Sequence, residues 1–227
     1  MVERIQNVRF RVTKHEPNLD GETEARVEEL WREAEALGKT NGHMTAMHHY
    51  ELISGQLRIS AFIAEYKLFW AQYNDSELST LVEPIAVTGL VRDSDGRFLL
   101  GQRSDNNTQY QGCWEFPPSG GLNPTEAKIP DGLEAAMRRE FKEEIALDET
   151  AIRGIIPIGL MYDSADHVYN VAHLINLHSP FPEGYRLLNH DDYTEERIVS
   201  MDDVRGLAAI TPSMVTSSVM DMLELLG

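Results

Sequence analysis

The segment 131–147, DGLEAAMRREFKEEIAL, constrains the fold more than any other part of the chain. At about 100° per residue on a helix, Leu133, Met137, Phe141 and Ile145 form one apolar stripe, and Arg138 and Lys142 fall on the far side. Glu140, Glu143 and Glu144 lie three and four residues apart and share a face. In angle, Glu144 falls between Leu133 and Met137, and Glu140 borders them. A chain that folds this segment as a helix must therefore set carboxylates at the margin of its core. Like charges at this spacing cost a few tenths of a kcal/mol per pair even in solvent. Partial burial adds to that by disfavouring the charged form. A hard divalent cation such as Mg²⁺ or Mn²⁺ relieves both costs, because it prefers carboxylate oxygens. Arg139 is placed to orient a neighbouring carboxylate. The competing reading is a solvated acidic helix in a glutamate-rich chain.

Charge and composition narrow the partners. Lys and Arg total 20 against 37 Asp and Glu, a formal net charge of −17 over 227 residues. That balance argues against a broad electrostatic grip on nucleic acid or an anionic membrane. An anionic ligand must be reached locally, through a metal, backbone N–H groups or a few placed arginines. Cys113 is the single cysteine, so no intrachain disulfide and no cysteine-based zinc site can form. The absence of an apolar leader or an ~18-residue apolar run, with this cysteine usage, predicts a soluble cytoplasmic protein.

The pattern changes near residue 80. Val8, Phe10 and Val12 alternate as in a strand, and residues 22–37 place Val27, Leu30, Trp31, Ala34 and Leu37 at helical spacing. A turn at Asn41-Gly42 follows; residues 44–72 mix strand and helix patterns and resist division. From residue 84 the elements read more cleanly. Ile85, Val87 and Val91 alternate with Ala86, Thr88 and Leu90, as in a strand buried on both faces. Asp93-Ser94-Asp95-Gly96 is a hairpin turn. Phe98–Gln102 returns, and a strand near Cys113–Phe116 runs into Pro117-Pro118-Ser119-Gly120-Gly121. Residues 152–162, 168–177 and a short run at 197–201 are β-rich. Thr211-Pro212 predicts a closing helix reaching Leu226. These elements predict an α+β, mixed-sheet sandwich at 83–227 behind a small β-rich extension at 1–82.

With these residues in place, the sequence resembles the Nudix hydrolases. Their box reads Gly, five residues, Glu, seven residues, Arg-Glu, an aliphatic, one residue, Glu-Glu, one residue, Gly, an aliphatic. Arg139-Glu140-Phe141-Lys142-Glu143-Glu144-Ile145-Ala146-Leu147 matches its second half, and the resemblance covers roughly residues 84–206. Three departures stand out. Nine residues separate Gly121 from Asp131, read as the first acid, so the loop carries a four-residue insertion; Asp131 is a shorter acid than Glu; and Ala146 replaces the last Gly. Ala146 there predicts either a strained left-handed residue or a slightly longer helix.

The resemblance implies an α/β/α sandwich with a mixed sheet. It also implies metal-dependent attack by water on a nucleoside diphosphate linked to another group. Glu140 and Glu144 would be direct Mg²⁺ (or Mn²⁺) ligands, with Glu143 a ligand direct or through water. The carbonyl of Gly120 or Gly121 would complete the set, and Arg139 would hold Glu140. Glu195 and Glu196 sit where many members carry a further acid; a charged turn before an edge strand is the alternative. For the substrate, Arg103 suggests a phosphate contact. Trp114 and Phe116 are candidates for base stacking, although aromatic residues on a strand more often form core; Tyr110 is a further candidate. Trp31, Asn41-Gly42, Tyr66-Lys67 and Thr211-Pro212-Ser213-Met214 resemble a subgroup that includes UDP-sugar hydrolases. They tilt the substrate towards a nucleotide sugar such as UDP-glucose, with ADP-ribose or a dinucleotide next. The extension would wall off the sugar end of the site or form a homodimer interface. A non-hydrolytic sensing module and an isoprenoid diphosphate isomerase are the rival functions.

Overall fold

The structure, a computed structural model, describes residues 1–107, 109–188 and 191–227. Strand β5 (Ile85–Arg92) is buried on both faces, so each face needs a cover. Its residues Ile85, Val87 and Val91 share a core with Leu133, Met137 and Phe141 of the acidic helix. Leu90 faces the opposite way, towards Val204, Ala208, Val219, Met222 and Leu225 near the C-terminus. The result is the α/β/α sandwich that the sequence predicts.

Around β5 the large sheet is mixed. Its other strands are β1 (Val2–Arg4), β6 (Phe98–Arg103), β7 (Trp114–Glu115), β8 (Ser119–Gly121), β9 (Ile152–Asp163), β10 (Val168–Leu177) and β11 (Tyr193–Val199). Their order is β1-β9-β10-β5-β6-β11, with β8 paired to β5 and β7 to β6. β10 runs parallel to β5, whereas β9 and β8 lie antiparallel to their partners. Between β8 and β9 the acidic helix, labelled α3 below, spans Gly132–Glu144.

The undivided stretch 44–72 resolves into strands β3 (His43–Ile53) and β4 (Gln56–Glu65) and helix α2 (Tyr66–Asn74). With β2 (Asn7–Val12) these strands form a three-stranded sheet, β2-β4-β3, backed by helix α1 (Gly21–Ala36) and α2. Helix α1 buries Val27, Leu30, Trp31 and Ala34 as its periodicity predicts; Leu37 lies beyond the helix end and is exposed.

Two C-terminal helices differ from expectation. A short helix α4 (Met201–Ile210) follows β11, nucleated by a capping box in which Ser200 and Asp203 bond reciprocally. The closing helix α5 begins at Ser217, because Pro212–Met214 forms only a 3-10 turn. No helix among the described residues is long and apolar enough to cross a membrane.

His173 on β10 is 2% exposed and bonds the Val171 carbonyl oxygen through Nδ1 at 2.9 Å. Burial pushes its pKa down to about 4, against the weaker pull of that bond. The unfolded chain therefore takes up the proton first, near its ordinary 6.5. The stability that follows from this is complete above about pH 6.5 and is lost as pH falls towards 4, to a maximum of about 3 kcal/mol. Thermal melts between pH 7.5 and 4.5 are expected to fall more steeply for the native chain than for His173→Leu. Parallel curves would remove His173 from the acid transition.

Candidate active site

Helix α3 is held by its apolar stripe, and that stripe carries two glutamates inward. Glu140 and Glu144 are each 6% exposed, whereas the Glu143 side chain stays largely in solvent. Strand β8 pairs Gly120 with Val87 of β5 and so presses the glycine against the helix. A Cβ at Gly120 would lie 1.8 Å from Glu140 Oε1. Any side chain at this position would displace the Glu140 carboxylate.

Arg139 organises the helix from its flank. Its Nη1 donates to Glu140 Oε1 at 2.6 Å and to Glu143 Oε2 at 3.2 Å. Nη2 donates to the Gly121 carbonyl oxygen at 3.0 Å, and Nε to Glu126 Oε1 at 2.7 Å. Glu126 was not anticipated, and it corrects the motif alignment. Gly120, five residues and then Glu126 reproduces the first half of the box. The insertion therefore lies after Glu126: residues 127–138 number twelve rather than the family's seven. Asp131 merely precedes α3, exposed and without a capping bond. Ala146 also behaves otherwise than expected. The helix stops at Glu144, Ile145 is extended at φ −95° and ψ 124°, and the Ala146 N–H donates to the Tyr185 hydroxyl at 3.2 Å. Neither a left-handed residue nor a longer helix is needed.

The inner carboxylate, Glu144, has partners that no local pattern announces. The Tyr193 hydroxyl of β11 lies 2.9 Å from Glu144 Oε2 and 2.9 Å from Glu115 Oε1. Glu115 in turn pairs with Arg103 Nη1 at 2.6 Å. One hydroxyl carries one proton, so it cannot donate to both carboxylates at once. Burial raises the pKa of Glu115 and sends that of Glu144 well above the carboxylate range, helped by the charge of Glu115 beside it. Burial also pushes Glu140 up to about 7, although Arg139 pulls the other way.

These observations bear on a cation. The donors are buried oxygens only, with unfavourable negative charge and a glycine cradle beside Glu140, and that chemistry fits a hard divalent ion. Among the described residues, no three acidic or histidine side chains converge as a ready cluster. Arg139 draws Glu140 and Glu143 towards itself, while Tyr193 and Ser119 hold Glu144.

Other expected site residues divide. Arg103, Tyr110, Glu115, Gly120, Gly121 and Asp163 line a cleft of about 250 Å³ beside α3. Tyr110 takes a positive φ of 51°, and its hydroxyl bonds Asp163 and Ser217. Trp114 and Phe116 are core residues and not stacking surfaces: they are 2% and 1% exposed, because α4 and α5 cover their face of the sheet. Glu195 and Glu196 are corrected too. Glu195 pairs with Arg197 and Glu196 with Arg186, and neither touches Glu140, Glu143 or Glu144. The residue of β11 that reaches the site is Tyr193.

A glycine turn laid against a helix of inward-facing carboxylates, on a mixed-sheet sandwich, is the arrangement that the resemblance to Nudix proteins implies. The NUDIX domain family model matches residues 82–214, more than half of the chain. The chain belongs to the Nudix family.

No curated protein sequence matches it. Among solved structures, Tm1382, a candidate Nudix hydrolase, aligns with a TM-score of 0.52 at 9% identity, over 82% of this chain and 98% of that one. The MutT protein of Methanosarcina mazei Go1 aligns at 0.44 and 22% identity, over 62% and 90%. A bifunctional NMN adenylyltransferase/ADP ribose pyrophosphatase from Francisella tularensis aligns at 0.48 and 16%, over 70% and 47%. At these identities the likeness is one of fold.

Of the segments that suggested a subgroup, Trp31, Asn41-Gly42 and Tyr66-Lys67 gather at one place, whereas Pro212–Met214 lies in the 3-10 turn before α5. The Tyr66 N–H donates to the Gly42 carbonyl oxygen at 2.9 Å, the Lys67 N–H to Asn41 Oδ1 at 3.1 Å, and Trp31 meets Tyr66 edge-on at 6.3 Å. They fix the start of α2.

Proposed function

We propose that the protein hydrolyses the pyrophosphate of a nucleotide sugar such as UDP-glucose, yielding UMP and sugar 1-phosphate, with Mg²⁺ or Mn²⁺ held by Glu140, Glu144 and the Gly120 carbonyl. The observation that carries this reading is the approach of Gly120 to Glu140, which leaves no room for a side chain at the point where carboxylates and backbone meet. Bound there, a divalent cation would polarise the phosphoanhydride and acidify a water. Arg139 orients Glu140, and Tyr193 orients Glu144. Arg103, braced by Glu115, Asn107 and the Gln109 carbonyl, faces the cleft and is taken as a phosphate contact. Glu143, on the exposed side, is taken to act through water. In this reading residues 1–82 form an extension beside the cleft and the protein works in the cytoplasm, in keeping with its single thiol.

The test is a panel of UDP-glucose, UDP-galactose, ADP-ribose, diadenosine polyphosphates and nucleoside triphosphates with Mg²⁺, products being identified by mass. UMP and glucose 1-phosphate from UDP-glucose, at the highest kcat/KM of the panel, is the expected result. A higher kcat/KM on ADP-ribose or a dinucleotide overturns the sugar assignment. Absence of any cleavage overturns the metal reading of Glu140 and Glu144.

A further inference from the structure

Helix α2 buries Leu68 and Ala71 against its own small sheet. Its aromatic residues, Tyr66, Phe69, Trp70 and Tyr73, recur at the spacing of a second stripe and are not fully buried. Their rings adjoin, with centroids 6.2 Å apart for Tyr66–Phe69, 6.4 Å for Tyr66–Trp70 and 6.1 Å for Phe69–Tyr73. Lys39 Nζ stands 5.2 Å from the centre of the Trp70 ring. Together the four rings line a groove of about 170 Å³ whose remaining wall is Gln109. Gln109 also lines the catalytic cleft beside Arg103, Tyr110 and Gly120. Groove and cleft thus border each other across Gln109.

Adjacency to the cleft that Arg103 and Gly120 line points to the occupant. A substrate with its pyrophosphate in the cleft carries one flat, π-faced end, its nucleobase. Aromatic side chains stack any base, and each stack contributes roughly 1–3 kcal/mol. The Gln109 amide donates to Asp166 and keeps its acceptor oxygen for the polar edge of a base. Trp114 and Phe116, the strand aromatics, are closed off in the core.

We propose that the aromatic side of α2 is the platform on which the nucleobase stacks, with Gln109 between base and phosphates. The residues that select the base then belong to the N-terminal region and not to the catalytic helix. This inference rests on the pyrophosphohydrolase reading of the cleft, and its test separates the two.

With EDTA present, so that no turnover occurs, UMP and AMP are titrated against the full chain and intrinsic fluorescence is followed. Of the three tryptophans only Trp70 is partly exposed; Trp31 and Trp114 are 4% and 2% exposed. Nucleotides are expected to quench the emission, and ribose 5-phosphate and glucose 1-phosphate are expected to leave it unchanged. Calorimetry with Tyr73→Ala and Trp70→Leu should show nucleotide binding weakened about tenfold, with sugar phosphate binding unaltered. In steady-state assays with Mg²⁺ the loss should fall on KM for base-bearing substrates. Equal quenching by sugar phosphates overturns the proposal by placing the sugar end in the groove. Unaltered nucleotide affinity in both variants also overturns it, even if pyrophosphate cleavage is intact. Nucleotide quenching in a chain that cleaves nothing upholds the platform while sinking the hydrolytic reading.

Discussion

Glu144→Gln is expected to lower kcat by about three orders of magnitude while leaving the metal-free protein at least as heat-stable as the native chain. The substitution keeps the shape of the side chain and an oxygen for the Tyr193 hydroxyl, so the packing of α3 against β5 should survive. It removes a carboxylate whose charged form burial and the neighbouring Glu115 already disfavour. Without a cation, that charge contributes nothing favourable to the fold. The same charge is what would hold the cation, and the cation would offset negative charge developing on the phosphoanhydride. Two measurements on one preparation separate these roles: turnover with Mg²⁺, and thermal melts with and without Mg²⁺. The native chain should gain melting temperature with the ion, by mass action on the folded state, and the variant should gain less. Activity within tenfold of native would remove Glu144 from the metal set.

Gly120→Ala is expected to cost about a hundredfold in activity for a loss of only about 1 kcal/mol in stability. The new methyl would lie 1.8 Å from Glu140 Oε1 and 2.2 Å from its carboxyl carbon. The carboxylate must swing away, and its ion pair with Arg139, made by the same Oε1, must shift with it. Strand β8 itself tolerates alanine, so the effect falls on the site more than on the sheet. Gly154→Ala on β9, where an added Cβ meets nothing within 4 Å, serves as the control. Equal activity in the two variants would show that Glu140 needs no cradle.

Much of this architecture was legible because it is local. The stripe Leu133, Met137, Phe141 fixes which way α3 turns, and the angle of Glu144 within it follows. Doubly buried β5 likewise implied a layer on each side. What escaped was long-range or ambiguous in register. Tyr193 meets Glu144 only because β11 pairs with β6, bringing Tyr193 opposite Arg103. Two acids nearby, Glu195 and Glu196, were the more conspicuous choice by composition. The strand of Trp114 and Phe116 alternates as either an open or a covered strand would, and only α4 and α5 decide it. Glu126 was within reach: its spacing from Gly120 fits the box, but counting from Gly121 led to Asp131 instead. Residues 44–72 resisted division because β4 passes directly into α2 at Tyr66, with no turn residue between them.

The strand β1 has a practical bearing on how the chain can be cut. It pairs antiparallel with β9, Val2 opposite Met161 and Arg4 opposite Gly159, and so shields one lateral border of the large sheet. A shortened chain starting at residue 82, where the family match begins, would keep α3 and lose that shield. Ile158–Tyr162 of β9, the part that β1 and its neighbours cover, would then present unpaired backbone groups, the kind of template on which other chains add and aggregate. The first few residues thus act as a selvedge, and a trimmed catalytic unit would call for charged or proline substitutions along β9 before it could be expected to stay dispersed.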